Sequence, residues 1–175
     1  MGDRSRFEEW EARLWERLAR LLPAAQDAES FRDSREIGEQ EAGLWFLLER
    51  LADLAVPVDE ATLAEIEVLA EHWGERLSVH HRVDACAKDP DRAATVRLVP
   101  DSEVRSAVED GTTVLPWIEC ARCPSVLARA HAREASGRPS QYAVRYLVSR
   151  ADAPEPEVFA PTELLRAFES VLGCH

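Results

Sequence analysis

The sequence predicts an α+β protein, with a helical N-terminal half followed by a smaller α/β half of about three or four strands. Two observations predict it. Apolar residues recur at steps of three and four through residues 7–73. Past residue 93 the pattern shortens to Val-rich alternating runs such as "ATVRLVP" and "QYAVRYLVSR". The expected organisation is an acidic helical region over 1–83, a linker over 84–93 and an α/β region over 94–175.

Phe7, Trp10, Leu14, Leu18 and Leu21 mark one face of a first helix, closed at Pro23. Residues 24–35 are polar and weakly patterned. A second helix is expected from Glu36 to Ala55, with Leu44, Leu47, Leu48, Leu51 and Leu54 on its apolar face. Glu36, Glu39 and Glu41 fall in its first turns, where the helix dipole favours negative charge. Val56 and Pro57 break it. Asp59 is positioned to cap a third helix carrying Leu63, Ile66, Leu69, Ala70 and Trp73, and Gly74 to end it. Leu77 would belong to at most a further turn.

In the second half, 94–100 reads as a strand and 101–111 as a short capped helix. The run 112–119 reads as a strand whose Pro116 requires an edge or a bulge. Residues 124–137 open on Pro and close on Gly, a helix signature. A strand is expected over 141–150 with Tyr142, Val144, Tyr146 and Val148 on one face, then a short strand at "VFA" and an amphipathic helix over 161–173.

The net charge is -12, and residues 1–90 carry most of it, with 21 acids against 11 bases. Such a chain is a poor phosphate binder, so no nucleic-acid partner is expected. No apolar run reaches the roughly 18 residues of a membrane span. The charged start "MGDRSRFEEWEARL" is no secretory signal, which points to the cytoplasm and to reduced thiols.

The segment "IGEQEAGLWFLLERLADLAVPVDEATLAEIEVLAEHWG", residues 37–74, resembles small bacterial immunity proteins, the antidotes of polymorphic and contact-dependent toxins. Glu41, Gly43, Leu44, Leu48, Leu51, Pro57, Asp59, Glu60, Ile66, Leu69 and Gly74 carry the resemblance. It covers 37–74 alone and has no catalytic signature. It implies a non-enzymatic protein, without a cofactor, that neutralises a basic toxin domain by electrostatically steered association. Glu49 and Asp53 on the second helix, with Glu60, Glu67, Glu71 and Glu75 on the third, fall at helical spacing and form the expected partner-binding stripe. A solvated acidic face is the alternative for the same residues. If the stripe is the recognition surface, replacing Glu67, Glu71 and Glu75 by Gln is expected to leave folding intact or slightly improved and to weaken the partner complex through slower association.

Cys120 and Cys123 form a Cys-x-x-Cys pair between an expected strand and an expected helix. A helix N-terminus would lower a thiol pKa, which supports a redox couple as an alternative function. Structural zinc is another, but it needs two more ligands, from Cys86 with His80 or His81, or from Cys174 and His175. Two small packing residues is a third reading. His72 with Glu75, and His131 with Glu134, make His-x-x-Glu pairs on expected helices, but neither belongs to a His-Glu-x-x-His zinc motif. Trp10, Trp45 and Trp73 are assigned to the core, and Trp15, off the apolar face, to a contact surface.

Overall fold

Five helices build the first part of the chain: α1 (Asp3–Ala19), α2 (Ala25–Glu36), α3 (Gln40–Asp53), α4 (Glu60–Trp73) and α5 (Arg76–Ala85). Strands β1 (Val96–Leu98), β2 (Ala107–Glu109), β3 (Thr112–Cys120), β4 (Val126–Arg133), β5 (Pro139–Ser149) and β6 (Glu157–Phe159) come next, then α6 (Leu164–Leu172). The computed structural model describes residues 3–100, 107–109 and 111–173. The class is α+β. The chain divides between Ala93 and Ala94 into two units. Among the described residues no helix is long and apolar enough to cross a membrane.

In the helical unit, Leu14, Leu18, Leu44, Leu47, Leu48, Leu51, Leu63, Ile66 and Leu69 are fully buried. Residues 25–36 form α2, where the sequence shows only a polar, weakly patterned run. Only Ala28 and Phe31 of α2 are buried, too few to print an apolar period, so its helicity comes from tertiary contacts. Trp15 stacks on Phe31 at 4.2 Å and donates its indole N–H to the Phe31 carbonyl at 2.9 Å. Arg50 on α3 pairs with Asp27 on α2 at 2.9 Å. The expected second helix therefore starts later than Glu36. The chain turns at Gly38, whose φ of 83° suits glycine, and α3 begins at Gln40. Gly43 permits the close approach of α3: a Cβ there would lie 2.9 Å from Ser34 Cβ and 3.1 Å from Trp15 Cζ2.

Asp59 caps α4 as expected, accepting the Thr62 backbone N–H at 2.9 Å. Gly74, at φ 78°, ends it in the left-handed conformation. Beyond this turn the chain forms a ten-residue helix, α5, rather than one more turn. Its buried residues, Arg76, Val79 and Val83, include one charge, which hides the period. Residues 84–93 are tied to the helical unit. Lys88 bridges Val58 and bonds Glu60 at 3.0 Å, and Arg92 reaches Asp59 at 3.0 Å.

Among the described residues the second unit holds a six-stranded antiparallel sheet, ordered β1-β3-β4-β5-β6, with β2 also paired to β3. That is more strands than the three or four expected. Pro116 causes a bulge as predicted, since the β3–β4 register shifts between Pro116 and Ile118. On the other side of β3, β1 pairs with 118–120 and β2 with 112–114. Pro116 lies between these two ladders, where its missing N–H interrupts neither.

Three expectations fail here. Residues 124–137 are not a helix: they contain β4, a central strand whose Leu127, Ala128, Arg129, Ala130 and His131 are consecutively buried. Burial on both faces erases the alternation that would have announced a strand. Of the helix expected over 101–111, residues 101–106 and 110 lie outside the described residues, while 107–109 form β2. On β5, Tyr146 and Val148 are buried but Tyr142 and Val144 are exposed. The β4–β5 register shifts between Ala130 and His131, moving the inward position to Ala143. The helix α6 is strongly amphipathic and lays Leu164, Leu165, Phe168 and Val171 against the sheet.

Candidate functional site

The expected acidic stripe is not one exposed face. Glu49 and Asp53 are exposed on α3. Glu60 is paired with Lys88. Glu67 is 0% exposed. One of its carboxylate oxygens accepts from the Arg76 guanidinium at 3.2 Å, and the other lies 2.7 Å from His80 Nδ1. Arg76 also reaches Glu71 at 3.5 Å, and Glu75 accepts from the Ser78 hydroxyl at 2.7 Å. The left-handed turn at Gly74 folds α5 back along α4, setting Arg76 and His80 against Glu67. Of the acids joined by helical spacing, Glu67 and Glu71 both reach Arg76. The spacing did not show that a cation-bearing helix, α5, covers those two residues. Glu67 and Arg76 are thus the buried centre of an ionic network that half-buried Glu71 joins, and Glu67 is unavailable to a partner. Its hydrogen bond holds the His80 pKa above the ordinary value, against the opposing effects of burial and of the Arg76 charge.

Acid is exposed instead at the junction of α2 and α3. Ile37 is 73% exposed and Trp45 40% exposed. Glu36, Glu39 and Glu41 are exposed in the same stretch. A cleft of about 410 Å³ opens there, lined by Gly38, Glu39, Gln40, Glu41 and Trp73. The Arg82 guanidinium covers the Trp45 ring at 4.2 Å, so this indole already receives a cation. Two of the tryptophan assignments are therefore reversed: Trp15 is core at 2% exposure and Trp45 faces outward, while Trp10 and Trp73 are half-buried. A sequence signal existed in "EIGEQE", a bulky apolar residue placed between acids at a glycine break.

Cys120 is the last residue of β3 and Cys123 lies in the turn to β4, not at the start of a helix. The helix N-terminus from which the redox alternative was argued is therefore not present after Cys123, where β4 follows instead. Arg122 donates its backbone N–H to Cys120 Sγ at 3.4 Å, and the Cys123 thiol lies 3.1 Å from the Ser125 hydroxyl. The other cysteine considered, Cys86, does not assemble with His80 or His81. Its thiol donates to the Arg82 carbonyl at 3.4 Å, and burial pushes its pKa up to about 11. His80 faces Glu67, and His81 Nε2 lies 2.8 Å from Arg82. His131 is on a strand, its Nδ1 2.8 Å from the Ser140 carbonyl. Cys174 and His175 lie outside the described residues. Among the described residues no group of three or more His, Cys, Asp or Glu is arranged to hold a metal. No family model matches the chain, and neither a curated protein nor a solved structure matches it.

Proposed function

We propose that this chain is a non-enzymatic, immunity-like binding protein of the bacterial cytoplasm whose helical unit neutralises a basic toxin domain. The observation that carries the reading is the exposure of Ile37 and Trp45 beside Glu36, Glu39 and Glu41. Protein interfaces combine an apolar centre with a polar rim, and Trp is enriched among the residues that dominate binding energy. The net charge of -10 over residues 1–90 favours a cationic partner and fast, salt-sensitive encounter. The α2–α3 junction takes the place of Glu67 and Glu71 as the recognition surface. Exposed Glu49 and Asp53 on α3 extend the acidic field.

The test uses the basic C-terminal domain of a secreted protein encoded in the adjacent reading frame, with association and dissociation followed at two salt concentrations. Trp45→Ala is expected to speed dissociation by at least about tenfold, the equivalent of roughly 1.4 kcal/mol. Changing Glu36, Glu39 and Glu41 together to Gln is expected to slow association, most at low salt. Absence of binding at micromolar concentration and low salt removes the proposal. Rates unchanged in both variants remove the surface.

A further inference from the structure

Glu41, Trp45 and Glu49 follow one another at four-residue steps along α3, and all three are exposed. Side chains at that spacing are neighbours on one line of a helix, with Cβ atoms about 5–6 Å apart. The line therefore sets an indole between two carboxylates. An indole face attracts a cation through its quadrupole, and carboxylates on either side add a Coulomb attraction of the same sign.

The protein places a cation of its own there. The helix α5 packs on α3 and brings the Arg82 guanidinium to 4.2 Å from the Trp45 ring centroid. Arg82 donates to the Ser78 carbonyl at 3.3 Å and to His81 Nε2 at 2.8 Å. Neither acceptor is a carboxylate. Arg50, by contrast, is anchored to Asp27 at 2.9 Å. The contact over Trp45 is thus a guanidinium held by neutral groups, on a ring that keeps 40% of its surface in solvent. Such exposed stacks are weak, so another cation can take the place.

We infer, on the basis of the binding function proposed above, that the Glu41–Trp45–Glu49 line receives an arginine side chain of the basic partner, and that Arg82 is the internal competitor this side chain displaces. A guanidinium suits the site better than an ammonium. It is planar, stacks on aromatic faces, is less strongly hydrated and donates to a carboxylate in a fork. Arg82 already shows the ring accepting that group. An internal competitor also sharpens selectivity. A stray cation must offset the lost Arg82 contact, whereas an arginine that engages Trp45 and a flanking carboxylate together gains more than it displaces.

The test uses the isotope-labelled full chain at low salt and a peptide of alternating Gly and Arg, with Gly-Lys and Gly-Gln peptides beside it. The Trp45 indole N–H resonance, assigned by its loss in Trp45→Ala, is expected to move with the Arg peptide, less with the Lys peptide and not with the Gln peptide. Arg82→Gln should tighten Arg-peptide binding by about two- to fivefold, the size of an exposed cation–π contact, beyond any gain in Arg13→Gln. Arg13, exposed on α1, controls for the loss of one positive charge. In a Trp45→Ala background the two substitutions should have equal effects. A Trp45 resonance unmoved at millimolar Arg peptide overturns the assignment, as does an Arg82→Gln variant that binds no tighter than Arg13→Gln. None of these readings needs the toxin domain. Arg-peptide recognition at Trp45 without binding of that domain supports the arginine site and removes the toxin reading. Binding of the domain without peptide recognition at Trp45 removes the arginine site alone.

Discussion

Replacing Glu67 by Gln removes one buried negative charge and almost no volume. Glu67 is 0% exposed and serves Arg76 at 3.2 Å and His80 at 2.7 Å. Hydrogen bonds to charged groups contribute about 1.5–3 kcal/mol each. Gln keeps one carbonyl acceptor and turns its amide donor toward the other partner, so one bond is lost and the second loses its ionic character. Outright removal of a buried ionic partner costs about 3–5 kcal/mol. Arg76 retains Glu71 at 3.5 Å, which moderates the loss. The expected destabilisation is about 2–4 kcal/mol, a large part of the roughly 5–15 kcal/mol typical of a folded domain. It contradicts the expectation, from helical spacing alone, that this position tolerates Gln.

Urea unfolding followed by far-ultraviolet circular dichroism measures that loss as a lower midpoint at unchanged slope. Repeating it across pH adds a second signature. His80 has a folded pKa above its ordinary 6.5, chiefly through the Glu67 hydrogen bond. Its contribution to stability is therefore complete below about pH 6.5 and is lost as pH rises through the folded pKa. His72, whose pKa is lowered by desolvation, contributes the opposite slope, so the parent-minus-variant difference is the diagnostic quantity. That difference should shrink as pH rises. A change within about 0.5 kcal/mol, the range of ordinary surface substitutions, would refute the buried network.

Two further outcomes are expected. Gly43→Ala should cost about 1–3 kcal/mol in the same unfolding assay, because the new methyl group meets Ser34 and Trp15 in a closely packed helix crossing. Cys86, buried and with its pKa near 11, should resist alkylation at pH 8 in the folded chain and react once urea unfolds it, as peptide mass spectrometry would show.

The sequence announced elements whose cause is local. The Asp59 cap, the Gly74 stop and the Pro116 bulge each follow from one residue's own chemistry. The amphipathic period of α1 and α6 was equally legible. Elements formed by tertiary contact were not. The helix α2 depends on Trp15 and Phe31, α5 buries an arginine, and β4 is a run of helix-favouring Ala and Arg held as a strand by neighbours on both sides. The candidate site follows the same division. The sequence showed that acid concentrates in the first half and that Glu67 and Glu71 stand one helical turn apart. It could not show that Arg76 and His80 would cover Glu67, or that Ile37 and Trp45 would lie outside.

The sheet's long strands, β3, β4 and β5, lie inside the strand order, while β1, β2 and β6 at its margins have three residues each. Short margins offer little backbone to another chain, which limits edge-to-edge aggregation. Coverage stops partway along β5, because β6 pairs only with Tyr146–Val148. Among the described residues, Ser140–Arg145 continues beyond that cover and carries exposed Tyr142 and Val144. Pro139 at its start, the charge of Arg145 and the neighbouring bulge are the features that oppose a flat, complementary strand there. This six-residue stretch is where self-association of the sheet would begin if those guards were removed.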